Sequence, residues 1–289
     1  MERVAIVTDS IACLPRELAQ KYSIEVVPIT FVFGEKVYRD GELGSAEFYE
    51  LLRTSPRLPT TAHSSPGTYL ETYRQVSSRA SAILCITIAS GVTAQYQSAR
   101  IAMELAEEAL PSTAIRVLDS QTATGAQALV VLGAARAAAR GESLEQVAAA
   151  AEALIPRLNL VATVDTLYYL VKGGRVPKIA GLATSLLKIK PIFQLQQGAI
   201  EALGRPRTRA RAVRRVLEIA KERVRGRPVH FVVMHSNVPE EAEALRRQVE
   251  AEFDCRELFV TEFTPVMGIH AGPGVLALAF YCEEESDVA

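Results

Sequence analysis

The chain has 289 residues, with 32 Lys and Arg against 33 Asp and Glu, so its formal charge of −1 supplies no chain-wide field for nucleic acid or an anionic membrane. At 49% apolar and 22% charged residues it sits near globular averages, which excludes disordered, collagen-like and low-complexity classes. Its length suits two ordinary domains. Cys13, Cys85, Cys255 and Cys282 are scattered without a Cys-x-x-Cys pair and read as reduced thiols of a cytoplasmic protein. The apolar run at 4–7 is too short for a signal peptide, and the greasiest stretch, 126–139, is interrupted by Gln127 and Arg136. No transmembrane segment is expected.

The first half alternates β-rich runs with helical patterns, as a parallel sheet with crossover helices requires. Residues 4–7 read as the first strand, 15–22 as a helix, 24–33 as one Val/Ile/Phe strand, and 46–53 as a helix with Ser45 as its N-cap. Ser65-Pro66 opens a further helix; 82–88 is a buried strand, 93–110 a helix and 115–118 a strand. Two Ala-rich helices follow, divided by Gly141, the second opened by the capping box of Ser143 and Gln146. The boundary falls near Arg157, giving a parallel α/β domain over 1–157 and an α+β domain over 158–289.

In the second half a strand at 160–164 and a helix at 167–172 end on Gly173-Gly174, and an amphipathic helix is expected around 179–187 beyond Pro177. Residues 192–195 and 200–203 flank Gln197-Gly198 as a hairpin, which a purely parallel domain would not contain. Later strands are expected at 229–234, 257–261 and 275–281, with a helix at 240–252.

No phosphate-wrapping G-x-x-x-x-G-K-[ST], dinucleotide G-x-G-x-x-G, G-x-S-x-G elbow or H-E-x-x-H zinc helix occurs. His63, His230, His235 and His270 lack ligand spacing, so no metal site is expected. What the first half does carry is a set of hydroxyls at the expected carboxyl ends of its strands: Thr8-Asp9-Ser10, Thr87 with Ser90 and Thr93, and Asp119-Ser120. Open α/β sheets bind ligands at that edge. Thr60-Thr61-Ala62-His63-Ser64-Ser65 adds a second cluster just before a helix, whose free N–H groups favour a small anion. Ser, Thr and Asp are also ordinary caps and turn residues, so cap and ligand site both fit. Gly173-Gly174-Arg175 and His270-Ala271-Gly272-Pro273-Gly274 read either as a helix stop and a tight turn or as functional loops. The arginine run from Arg205 to Arg227 reads as a solvated helix face or protein-docking surface, since it has no aromatic residues for stacking on single strands.

Taken together and in order, these motifs resemble the DegV family of fatty-acid-binding proteins: Thr8-Asp9-Ser10, Pro59-Thr60-Thr61 through Ser65-Pro66, Ser90-Gly91 with Tyr96-Gln97-Ser98-Ala99-Arg100, Asp119-Ser120, residues 170–175, Lys190-Pro191, and residues 270–274. The resemblance implies a parallel α/β domain joined to an α+β domain with a ligand tunnel between them, and a monomeric carrier without a cofactor. It implies a bound long-chain fatty acid whose carboxylate is presented to a separate ATP-dependent fatty acid kinase subunit, feeding bacterial phospholipid synthesis. Thr61 is implied as the carboxylate-binding threonine, Ser90 or Thr93 as the second hydroxyl, and His270 and Arg175 as polar residues near the head group, with His63 as an addition of this chain. The family commonly has Thr-Ser-Gln-Pro-Ser where this chain reads Thr61-Ala62-His63-Ser64-Ser65, and Ser-Ser-Gly-Leu-Ser-Gly-Thr where it reads Ala89-Ser90-Gly91-Val92-Thr93-Ala94-Gln95. Two other readings stand beside the carrier: an α/β hydrolase-like enzyme using Ser, His and Asp at the sheet edge, and an arginine-helix regulator binding DNA.

Overall fold

The computed structural model describes residues 3–174 and 189–284. Arg175, Pro177 and the helix expected at 179–187 lie outside the described residues. The chain divides into two compact units, Met1–Glu42 with Thr60–Pro156, and Leu43–Pro59 with Arg157–Ala289.

In the first unit, strands β1 (Val4–Asp9), β2 (Glu25–Val27), β6 (Ala82–Thr87) and β7 (Ala114–Asp119) form a parallel sheet in the order β2-β1-β6-β7. Every residue of β6 is buried, as expected for an inner strand covered on both faces. Helices α3 (Pro66–Ser77) and α4 (Gln95–Ala109) bring Tyr69, Tyr73, Ala99 and Ala102 onto Val7, Ile83 and Cys85. Ser65 caps α3 by accepting the Thr68 N–H. Helices α5 (Thr124–Ala139) and α6 (Leu144–Leu154) also pack against the sheet strands, and α6 opens with the expected capping box of Ser143 and Gln146. Gly133 lets α5 and α6 approach closely, because a Cβ there would collide with Leu154.

The run 24–33 is not one strand. Pro28 offers no N–H to a ladder, so β2 stops before it and β3 (Thr30–Phe33) turns into a separate antiparallel ribbon with β4 (Lys36–Arg39) and β5 (Thr60–Ala62). The pairing of Phe31 with Thr61 in that ribbon fixes the backbone of Thr61.

Among the described residues of the second unit, β8 (Asn159–Thr163), β9 (Ile192–Gln196), β10 (Ala199–Gly204), β11 (Val229–His235), β12 (Cys255–Glu262) and β13 (Leu276–Cys282) make a mixed sheet in the order β10-β9-β8-β13-β11-β12. Its pairs are antiparallel except for β11 with β12. The β9–β10 hairpin turns on Gln197 and Gly198, both at positive φ (49° and 74°), as a two-residue hairpin requires. Helices α8 (Arg209–Val224) and α9 (Pro239–Glu252) bury Val216, Ala220, Leu245 and Val249 with Phe231, Leu278 and Phe280.

Leu43–Pro59 belongs to the second compact unit, so the units are not divided by a single cut near Arg157. The reason is the apolar face of α2 (Ser45–Thr54), where Phe48, Tyr49 and Leu52 are buried. In α10 (Pro265–Ala271), Gly268 leaves room for that face, since a Cβ there would collide with Phe48 and Tyr49. The Tyr49 hydroxyl is hydrogen-bonded to that of Ser236, and Ser45 donates to Glu262 Oε1 at 2.6 Å. The N-cap position is therefore Gly44, with Ser45 engaged by the sheet instead.

Candidate functional site

The site in the first unit starts from the carboxyl end of β1. Thr8 and Asp9 are fully buried there. Asp9 Oδ2 accepts the Ile88 N–H at 2.8 Å, while Oδ1 accepts from the Ile11 N–H and from Gln127 Nε2, each at 3.1 Å. Gln127, buried on α5, also donates to Thr8 Oγ1, which in turn donates to the Ile86 carbonyl. Burial pushes the Asp9 carboxyl up to about 6, against the opposing effect of its three hydrogen bonds, and the neighbouring charge of Asp40 adds to the rise. Ser10 donates to Asp40 at 2.7 Å and accepts from Ile29.

These groups shape the loop after β6. The N–H groups of Ile88, Ala89 and Ser90 find three different acceptors: Asp9, the Thr122 carbonyl at 2.9 Å, and both carboxylate oxygens of Asp119 at 3.2 Å. Asp119 also accepts from the Gln121 N–H. The two edge aspartates thus hold backbone N–H groups, where a Ser-His-Asp relay would need one of them on a histidine. What this scaffold holds in place is Ser90, exposed, and Thr93, half-buried, two residues before α4 begins.

The other loop runs from Thr61, half-buried in β5, through the exposed His63 to Ser64. Buried Gln95, in the first turn of α4, ties the two loops together: its Oε1 accepts from the Ser64 N–H (3.2 Å) and the Tyr69 hydroxyl (3.1 Å), and its Nε2 donates to Ser64 Oγ (3.4 Å). Ser64 Oγ donates to the Pro28 carbonyl at 3.0 Å, fixing the same loop to the break between β2 and β3. Thr61, His63, Ser90 and Thr93 are therefore presented by two loops of one unit that share a buried amide. Hydroxyls and N–H groups beside helix N-termini can hold a carboxylate by hydrogen bonds and dipole alone. Gln95 carries this arrangement and has no motif of its own in the sequence.

In the second unit, His270 lies in the last turn of α10, a helix the sequence reading does not include. Pro265 opens that helix. A Cβ on Gly173 would crowd the His270 Nδ1, so the His270 loop and the Gly173-Gly174 stop of α7 (Tyr168–Lys172) meet. Gly272 and Gly274 sit at positive φ (76° and 84°), and side chains there would collide with Tyr169 and Asp165. Ser236 donates to the Gly272 carbonyl and its own carbonyl accepts the Gly274 N–H at 2.7 Å. Arg209 adds a 2.6 Å hydrogen bond to the Gly274 carbonyl while pairing with Glu241 and Asp165, and Lys190 bonds Asp165 at 2.9 Å.

The arginine run is largely engaged within its own unit. Arg215 pairs with Glu218 and Glu222, Lys221 with Glu252, and Arg223 donates to Asn159 and Gln194. Glu241, Glu252 and Asp165 come from distant segments, so the local sequence underestimates how far this charge is balanced. Among the described residues no cluster of His, Cys, Asp and Glu could hold a metal ion, and no helix is long and apolar enough to cross a membrane.

These features define a two-unit α/β protein whose first unit gathers hydroxyls at the edge of a parallel sheet. A family model described as "Uncharacterised protein, DegV family" matches residues 3–283. A DegV domain-containing protein of Streptomyces coelicolor is 34% identical over 278 residues, 95% of this chain and 97% of the relative. Protein DegV of Bacillus subtilis is 30% identical over 280 residues, 96% and 98% of the two chains. Among solved structures, a DegV family protein from Thermus thermophilus described for fatty acid binding aligns with TM-score 0.90 and 30% identity, over 97% of this chain and 100% of its own. A stearic acid-binding protein from Eubacterium ventriosum aligns with TM-score 0.89 and 29% identity, over 99% and 100%. The chain belongs to the DegV family.

Proposed function

We propose that this protein binds a long-chain fatty acid, holds its carboxylate on Thr61 and on Ser90 or Thr93, and presents it to a separate ATP-dependent fatty acid kinase subunit for acyl phosphate formation. In this reading it acts as a cytoplasmic monomer with no chemistry or resident cofactor of its own. The full-length likeness to DegV proteins described as fatty acid binding carries the reading. The two loops joined through Gln95 support the assignment of the carboxylate, because they bring neutral donors to helix N-termini. The roles of His63, His270 and Arg175 toward the head group or the docked kinase, and the kinase step itself, rest on the family resemblance.

Burial of about fifteen methylenes at ~0.8 kcal/mol each gives a gross ~12 kcal/mol before ordering costs, enough for the ligand to survive purification. The test is mass spectrometry of the organic extract of denatured protein, with a binding titration of added fatty acid. A stoichiometric acyl chain is the expected result; its absence, together with failure to bind added fatty acid, removes the proposal.

A further inference from the structure

We propose that Asp9 is a positioning residue that couples the hold on the fatty acid head group to pH, its carboxylate form fixing the start of the loop that carries Ser90 and Thr93. The proposal rests on the fatty-acid reading above for its ligand, and on the geometry of the first unit for its mechanism. Asp9 is fully buried and makes no direct claim on an exposed ligand; its oxygens are taken by the N–H groups of Ile88 and Ile11 and by Gln127 Nε2. Ile88 is the first residue past β6 and stands two residues before Ser90. The ionised carboxylate accepts from donors at both oxygens at once. Adding a proton removes the charge that strengthens all three hydrogen bonds and turns one oxygen into a hydroxyl, a poorer acceptor, so the hold on the donors is weakened.

The groups that face Asp9 come from every surrounding element. Gln127 on α5 and the two backbone N–H groups favour the carboxylate, while Asp40, reached through Ser10, disfavours it. Tyr69 on α3 and Cys85 on β6 sense the Asp9 charge, and burial pushes each of them upward, away from ionisation near neutral pH. With the Asp9 carboxyl pushed up to about 6, the switch falls in a range that a cell or an assay can reach. Below that value the Ile88 N–H is held by a weaker acceptor, and the Thr122 carbonyl and Asp119 carry more of the hold on the loop.

Two measurements test this, and the first needs no ligand. Amide hydrogen exchange, read as protection factors of Ile88, Ala89 and Ser90, should fall about tenfold between about pH 7.5 and about pH 5 in the wild type and show no such step in Asp9→Asn. Gln127→Leu, which keeps both backbone hydrogen bonds and removes one donor that favours the carboxylate, should move the step to higher pH; this variant decides the matter if Asp9→Asn does not fold. The second measurement is affinity for hexadecyl sulfonate, whose head group stays ionised, in wild type and in Asp9→Asn, the Asp9 contribution being the difference so that the histidines cancel. Wild-type affinity should lose about tenfold more than that of Asp9→Asn over the same range. A missing exchange step, or a step unmoved by Gln127→Leu, overturns the proposal. So does an exchange step accompanied by binding that ignores both pH and Asp9. If neither the sulfonate nor a fatty acid binds at any pH, the proposed function falls and the head-group coupling with it, while the exchange step still decides whether Asp9 fixes the loop.

Discussion

At the carboxyl edge of β1 the first unit buries Thr8, Asp9, Gln95, Ser120 and Gln127, whereas the sheet of the second unit buries Val161, Phe231, Val233, Leu278 and Phe280 and carries its charges at the margins. Arg209 with Glu241, Lys221 with Glu252, and His230 between Glu257 and Glu283 are such marginal groups. A buried polar group is tolerated only when hydrogen-bonded, and it specifies one arrangement of the backbone when it is. An apolar core of packed rings resists unfolding but does not fix a loop to within hydrogen-bond distance. The first unit therefore positions its donors through a buried polar network, and the second holds its loops with glycines, the buried Ser236 and marginal charged groups around an apolar core.

The sharpest way to break this contrast is Phe231→Ala. Phe231 is fully buried and packs against Phe253 and Phe280, so its truncation should cost about 3 to 5 kcal/mol in a denaturant titration. A loss well under 1 kcal/mol would show that the second unit does not depend on its apolar core.

Next comes the pH dependence of Asp9. Its carboxyl is raised from 3.8 to about 6, so the folded chain binds the proton more tightly than the unfolded chain. The resulting stability is present below pH 3.8 and is lost as pH rises through about 6, a change of roughly 3 kcal/mol across that window. It should be read as the difference between wild type and Asp9→Asn, so that other carboxylates cancel. A difference that is flat between about pH 4 and about pH 7 would contradict the burial of a titrating charge.

Thr61→Val sharpens the contrast from the functional side. Thr61 is half-buried in β5, and valine keeps the strand propensity, so the loss of stability should not exceed about 1.5 kcal/mol, the worth of one neutral hydrogen bond. Fatty acid affinity should fall roughly ten- to a hundredfold, the worth of one hydrogen bond to a charged group. Unchanged affinity would move the carboxylate to another residue.

The smallest effect belongs to the exposed pair of Arg215 with Glu222, which holds Glu222 below the usual carboxylate range. Glu222→Ala should leave the melting temperature unchanged in moderate salt, since such pairs are screened and entropically costly. A clear destabilisation would mean that the marginal charges of the second unit act as a network.

Much of this architecture was legible because local chemistry decided it. Ser143 with Gln146, Ser65 with Pro66, and Gln197 with Gly198 each combine a side chain or a permitted φ with one backbone geometry, and each is found in that geometry. The hydroxyls after β1, β6 and β7 were visible for the same reason. What could not be read was decided by distant partners. Ser45 looks like an N-cap until Glu262, far along the chain, takes its hydroxyl. Gln127 looks like an interruption in an apolar helix until Thr8 and Asp9 are brought to it. The ribbon strands β4 and β5 are short and partly exposed, with too few alternating apolar positions to announce themselves, and α10 hides between two strands behind a proline.

The excursion of Leu43–Pro59 into the second unit sets an order of events during synthesis. Residues of the first unit are all available once the ribosome has passed Pro156, but α2 must wait for Ser236, Glu262 and Gly268 before its buried face has a home. Until more than a hundred further residues have emerged, Phe48, Tyr49 and Leu52 lack the segments of the second unit that meet them in the folded chain. A fragment ended at Pro156 would never gain those segments, so a soluble version of the first unit calls for replacing 43–59 with a short polar connection between Glu42 and Thr60.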